Sequence, residues 1–272
     1  MTQSKESQFQ SSDGIQFYVK AWYVDKPLAH IHLIHGLGEH VNRYDHVASF
    51  FNEHQISLTG FDLRGHGQSG GKKGHTPGYE RLLVDMDEYI STYVNEGVDN
   101  IIYGHSMGGN LVLGHLLNRN ANFKAAVLTS PWIKLSKEPS KLLVSAAKII
   151  NIIGGFTDSN KLDTALLATD PAVGIAYEAD PLVHDKIHSK LAMGIIDMGA
   201  KILSSSSAPK VPVLLMHGNK DGITSHEASK SFAERHNNIE FKEWEGLYHE
   251  MHNGFEKEKI LSFALNWLQK VL

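Results

Sequence analysis

The segment from Ile101 to Gly109, I-I-Y-G-H-S-M-G-G, sets a serine between two glycines directly after an apolar run and directly before a stretch of helical character. A chain of this kind has to turn from strand to helix so sharply that the serine hydroxyl stands exposed at the tip. Backbones pass that closely only where a Cβ is missing. Gly104 and Gly108 meet that need, and Ser106 becomes the candidate nucleophile. Asn110 to Asn118 can continue as a helix with Leu111, Leu113 and Leu117 turned inward. A second copy of the pattern, Gly67-Gln68-Ser69-Gly70-Gly71, runs on into Lys72-Lys73-Gly74 with no helix to follow, so it reads as a loop.

A chain of 272 residues, 42% apolar and 21% charged, can bury the core of one large α/β domain. The formal charge of −4, with no Lys/Arg run longer than Lys72-Lys73, offers no electrostatic footprint for nucleic acid. The absence of cysteine excludes disulfides, thiolate metal sites and a cysteine nucleophile. The polar start, Met1 to Gln10, lacks the apolar core of a secretory signal, and no stretch approaches the about 18 apolar residues of a membrane span. The expectation is a cytoplasmic enzyme that meets lipid only at its surface; the sequence specifies no oligomeric state.

Phe9 to Asp25 reads as a β-hairpin turning at Asp13-Gly14, with Ile15, Phe17, Val19 and Ala21 alternating along its second arm. Short apolar runs follow at Ile31 to Ile34, Ile56 to Phe61, Asn100 to Tyr103, Ala125 to Leu128 and Val211 to Met216, with helical segments between them. Near-continuous apolar strands alternating with helices imply a mostly parallel central sheet covered by helices on both faces. Ile239 to Trp244 adds a strand and Phe255 to Leu272 a closing helix, with Phe255, Ile260, Phe263 and Leu268 toward the core. Residues 132–208 break this rhythm, because a βα crossover needs far fewer residues. They are expected to form an inserted helical cap over Ser106, dividing the chain into a core of residues 1–131 and 209–272 and a cap of 132–208. Two apolar stripes, Leu142, Ala146, Ile149, Ile150 and Ile153, then Ile187, Leu191, Ile195, Met198 and Ile202, are expected for the most part to pack this insertion onto the sheet.

A serine hydroxyl is a weak nucleophile at neutral pH, so Ser106 needs a base and an acid that fixes the base's tautomer. With an elbow of this type the partners follow in the order Ser, Asp or Glu, His. His249, in a loop between the last strand and the last helix, is the expected base, with His252 as the alternative in the same loop. Asp221, just past the carboxyl end of the Val211 to Met216 run, is the expected acid. Asp170 and Asp180 each precede a proline and read as turn initiators, and Asp197 lies on the polar side of a helical stripe. An acyl-transfer oxyanion needs two N–H donors, for which Met107, after the nucleophile, and Leu37, in the glycine-flanked loop after the first parallel strand, are the candidates. Metal chemistry is disfavoured despite 17 histidines: His249-Glu250-Met251-His252 is one residue short of H-E-x-x-H, and His30-x-His32 has no third ligand nearby in sequence. No cofactor is called for.

The chain resembles the monoacylglycerol lipase branch of the α/β-hydrolases. The resemblance runs through H-G-L-G-E-H-V-N-R-Y (His35 to Tyr44), D-L-R-G-H-G-Q-S (Asp62 to Ser69), G-H-S-M-G-G (Gly104 to Gly109), D-P-L-V (Asp180 to Val183), H-G-N-K-D (His217 to Asp221) and Y-H-E-M-H (Tyr248 to His252). It implies an α/β-hydrolase fold with a U-shaped helical cap, an amphipathic tunnel, and hydrolysis of a single acyl ester of glycerol. It also implies that Ser106, Asp221 and His249 act as a triad with Leu37 and Met107 as oxyanion donors, and that Glu39, Arg43 and His252 surround the polar glycerol end. A surface ion pair is the plainer reading of Glu39 and Arg43. A small lipid ester is the implied partner, with peripheral membrane contact through the cap. Lysophospholipase or short-chain carboxylesterase activity is the nearest alternative, for which Lys72, Lys73, Lys134 and Lys137 could meet a phosphate. A catalytically silent binding scaffold is the reading from another class, and three triad members standing in order weigh against it.

Overall fold

The computed structural model describes residues 4–119, 122–160 and 162–272; positions 1–3 of the polar start lie outside them. Strands β1 (Ser4–Gln10) and β2 (Gln16–Trp22) pair antiparallel from Ser4↔Trp22 to Gln10↔Gln16, with Gly14 in the left-handed region at φ +86°. The hairpin is longer than expected, because β1 carries mostly polar residues and its exposed edge gives little apolar signal. Strands β3 (Ala29–Ile34), β4 (Ile56–Phe61), β5 (Asp99–His105) and β6 (Ala125–Thr129) follow, with helices α1 (Asp45–Glu53), α2 (Tyr79–Tyr93) and α3 (Met107–Asn118) between them.

After β6 come α4 (Lys141–Ile152), β7 (Thr157–Ser159), α5 (Pro171–Ala179), β8 (Lys186–His188) and α6 (Ser189–Ser204). The chain then re-enters the sheet through β9 (Val213–Gly218), α7 (His226–Ala233), β10 (Ile239–Trp244) and α8 (Lys257–Val271). The large sheet runs β1-β2-β4-β3-β5-β6-β9-β10, parallel from β4 to β10 and antiparallel at the β1–β2 and β2–β4 pairings. All six parallel strands therefore end at one edge, and the loops leaving that edge are brought together.

Side chains alternate between two cores. Ile31, Leu33, Ile101, Tyr103, Leu214 and Met216 meet α1 and α8 on one face, whereas Ile102, Leu128, Val213 and Leu215 meet α2, α3, α6 and α7 on the other. β9 starts at Val213 rather than at Val211, because Pro212 has no N–H to place in the ladder. Phe255 is 70% exposed in the turn before α8 instead of facing the core, while Ile260 and Leu268 are buried as expected.

Between β6 and β9 the structure differs from an all-helical insertion. β7 and β8 form a small antiparallel sheet, and Ile187 belongs to β8, not to the helical stripe that continues through Leu191, Ile195, Met198 and Ile202 on α6. That stripe is buried as expected, but against α2 and α3 rather than directly on the sheet. The α4 stripe is not: Leu142, Ile149 and Ile153 are 81%, 68% and 87% exposed. Among the described side chains of this helix only Ala147 is buried, so α4 rests on α6 along one narrow line and turns its larger apolar side chains outward. Among the described residues no helix is long and apolar enough to cross a membrane.

Candidate active site

Ser106 stands at the junction of β5 and α3 with φ +52°, a left-handed conformation that is uncommon for a residue with a Cβ. The turn is held from both sides: Ser106 N–H donates to Thr129 O at 3.0 Å, and Ser106 O accepts from Asn110 N–H at 3.1 Å and Trp132 N–H at 2.9 Å. The two glycines are there because of close approach. A Cβ on Gly104 would meet Gly108 O and Val112 Cγ2 at 2.8 Å, and one on Gly108 would collide with the carbonyl oxygens of Ile34 and His35. The second glycine-serine copy is a loop in which Ser69 Oγ donates to Asp62 O at 2.6 Å and accepts from Tyr18 N–H at 2.9 Å.

The loops after β9 and β10 bring the other two side chains together. His249 Nδ1 lies 2.7 Å from Asp221 Oδ2. Because an ionised carboxylate only accepts, Nδ1 carries the proton, and the neutral ring keeps its lone pair on Nε2. Asp221 is fixed in turn by Ile223 N–H at 2.8 Å, Thr224 N–H at 3.0 Å, Thr224 Oγ1 at 2.9 Å and His217 Nε2 at 3.0 Å. Burial alone would raise the Asp221 pKa, but the His249 ring and the hydrogen bonds from His217 and His249 hold it well below the usual carboxylate range. Burial likewise works against a charged His249, yet Asp221, reinforced by Glu250 and Glu39, brings its pKa above the ordinary histidine value of 6.5. The His249 loop is tied to the sheet by Ser130 Oγ, which donates to His249 O at 2.8 Å.

Ser106 and His249 line one cavity of ≈ 80 Å³, together with Gly36, Leu37, Glu39, His105 and Glu250. Met107 opens α3, where the first N–H groups have no acceptor within the helix. Among the described residues the Leu37 N–H has no protein acceptor either, so the two expected oxyanion donors are both unspent. Trp132, Leu135 and Asn160 are shared between this cavity and a groove of ≈ 400 Å³ bounded by Leu143, Val144, Phe156, Ile187 and Met193, between α4, α6 and the β7–β8 sheet. A polar, hydrogen-bonded centre and an apolar groove thus lie against the same three side chains.

Glu39, Arg43 and His252 are placed differently from one another. Glu39 reaches the cavity; Arg43 and His252 do not line it. The Glu39–Arg43 ion pair, at 2.8 Å, is buried rather than a surface pair, with side-chain exposures of 3% and 11%. His252 is stacked on Tyr44 at 5.2 Å and set edge-on to His105 at 4.7 Å, and burial pushes its pKa down to about 3. Of the two candidate bases it is His249 that holds the hydrogen bond to Asp221. Asp170 accepts from Ala172 N–H at 2.9 Å as the N-cap of α5, and Asp197 pairs with Lys148 on the surface between α4 and α6, whereas Asp180 accepts from Leu182 N–H at 2.9 Å and also lies 2.9 Å from His40 Nε2, tying its turn to the loop that carries Leu37 and Glu39. The supporting residues His217, Thr224, Ser130 and Glu250 were missed. Only His217 had a signal, its fourth-residue spacing to Asp221 in H-G-N-K-D.

Residues 25–258 match the family described as Serine aminopeptidase, S33. An abhydrolase domain-containing protein of Dictyostelium discoideum is 37% identical over 98% of this chain, which spans only 29% of that longer relative. The monoacylglycerol lipase of Mycolicibacterium smegmatis is 30% identical, with 97% of this chain and 96% of the relative aligned. The crystal structure of Paleococcus ferrophilus monoacylglycerol lipase superimposes with a TM-score of 0.84 at 30% identity, covering 99% of this chain and 100% of that one. The chain thus belongs to the Serine aminopeptidase, S33 family, with the α/β-hydrolase fold, alongside monoacylglycerol lipases.

Proposed function

We propose that this protein is a serine ester hydrolase that cleaves monoacylglycerols to fatty acid and glycerol through an acyl-enzyme. The observation that carries this reading is the Asp221–His249 hydrogen bond, with His249 and Ser106 lining one cavity that shares Trp132, Leu135 and Asn160 with an apolar groove. The similarity over nearly the whole chain to the lipases of Mycolicibacterium and Paleococcus supports the choice of substrate. Ser106 Oγ attacks the ester carbonyl while His249 Nε2 takes its proton, and Asp221 stabilises the imidazolium. The oxyanion receives the N–H groups of Leu37 and Met107. Collapse expels glycerol, whose oxygen takes the proton back from His249; water then enters by the same base and releases the acid. The acyl chain lies in the trough between α4 and α6, residues 132–208 serve as the cap, and the glycerol end faces Glu39.

Fatty-acid release from monoacylglycerols should exceed release from matched lysophosphatidylcholines and diacylglycerols, and Ser106→Ala should reduce it by on the order of 10⁴ or more. Better turnover of the lysophospholipid would reject the substrate assignment.

A base must be neutral to accept the Ser106 proton, and a raised pKa keeps His249 protonated to higher pH. The acidic limb of kcat/KM should therefore fall with an apparent pKa above 6.5. A limb that lies below that value would contradict His249 as the base.

The outward apolar side chains of α4 make this helix the face that meets a lipid surface. In flotation with phosphatidylcholine vesicles the protein should rise with the lipid, and an Ile149→Ser, Ile152→Ser, Ile153→Ser variant should stay behind. Equal flotation of the two would place the docking face elsewhere.

A further inference from the structure

Three buried charged side chains connect the two loops that flank Ser106. Glu39 Oε1 accepts from Gly36 N–H at 2.6 Å and from the Tyr44 hydroxyl at 2.8 Å, and its Oε2 accepts from Arg43 Nη1 at 2.8 Å. The same guanidinium forks onto Glu250, with Nη1 and Nη2 each 2.7 Å from a carboxylate oxygen. Asn253 Nδ2 donates to Glu250 Oε2 at 2.7 Å, and the Tyr177 ring of α5 lies 4.8 Å from the guanidinium carbon. Gly36 immediately precedes Leu37, and Glu250 immediately follows His249. An unbroken set of charge-assisted hydrogen bonds thus runs from the loop bearing one oxyanion donor to the loop bearing the base.

We infer that Arg43 is a positioning residue, whose fork between Glu39 and Glu250 holds the Leu37 N–H and the His249 ring in one fixed frame around Ser106. This rests on the reading of Ser106 as nucleophile and His249 as base. The inference departs from a glycerol contact for Arg43, because both ends of its fork are taken and it does not line the cavity. A lysine keeps the charge but cannot supply the planar fork that spans two carboxylates. The brace also has an electrostatic side. Burial disfavours the Glu250 carboxylate, but Arg43 holds its pKa down to about 2, so Glu250 stays ionised beside the base. His249 also faces Asp221, Glu39 and the rings of His105, His217 and His252, and the last three are kept neutral by burial.

The test compares a monoacylglycerol with the p-nitrophenyl ester of the same acid, which has no glycerol. Arg43→Lys should lower kcat by about 10- to 100-fold on both esters while KM moves by less than about threefold, the signature of displaced groups rather than lost binding. Tyr44→Phe, which removes one donor from Glu39 and leaves the ion pairs, should lower kcat by a smaller, equal factor on both. Folding is followed by circular dichroism, and if Arg43→Lys does not fold, Tyr44→Phe decides by the same comparison. A loss confined to the monoacylglycerol and carried by KM overturns the inference in favour of a glycerol contact, and folded variants with wild-type kcat on both esters overturn it as well. Wild-type protein that cleaves only the p-nitrophenyl ester would instead remove the substrate assignment, with the brace judged on that ester alone.

Discussion

The close passage of backbone at Gly104 and Gly108 is the constraint on which the rest of the site depends. With α3 packed so tightly on β3 and β5 that a Cβ at Gly108 would strike two carbonyl oxygens, Ser106 has no room to take an ordinary helical or extended conformation and sits at φ +52°. With ψ at −118° this is a sparsely populated conformation for a residue with a side chain, at a cost of about 1–3 kcal/mol. Strand β6, the loop after it and α3 itself offset this through Thr129 O, Trp132 N–H and Asn110 N–H, which bind both polar atoms of the Ser106 backbone. The strain thereby becomes geometry: the hydroxyl is lifted to the edge where β9 and β10 deliver Asp221 and His249, and Met107 N–H is left at the open start of a helix.

Around that point the protein buries four charged side chains. Asp221, Glu39, Arg43 and Glu250 are all nearly removed from water, and each has its hydrogen-bonding capacity directed at a backbone N–H or an opposite charge. Buried ion pairs are weak contributors to stability, since desolvation roughly cancels their attraction. Their value here is directional. Loops after parallel strands are the least restrained parts of an α/β fold, and short charge-assisted bonds restrict where Leu37, Asp221 and His249 can go.

Much of this was legible in the sequence because it is written in short, local patterns. The elbow is a five-residue motif, most of the parallel strands are near-continuous apolar runs, and Asp221 and His249 each lie in the loop that follows a recognisable strand. What was illegible depends on partners far apart in the chain. Arg43 and Glu250 are 207 positions apart, so the Glu39–Arg43 pair, which reads as surface charge, becomes part of a buried fork only once the sheet edge is assembled. The α4 stripe shows the opposite failure: periodicity identifies an apolar face but not whether anything covers it, and Leu142, Ile149 and Ile153 face outward. Ile187 and Phe255 fit helical spacing by coincidence, one belonging to a short strand and the other to a turn.

In the proposed mechanism one serine, selected by this turn, carries the chemistry. The most direct measurement is reaction of the intact protein with a long-chain fluorophosphonate, followed by mass-spectrometric mapping of the adduct. The account requires a single stoichiometric label on Ser106 that disappears in Asp221→Asn and His249→Gln under the same exposure. A label on another serine, or undiminished labelling of Ser106 without Asp221 and His249, would contradict it.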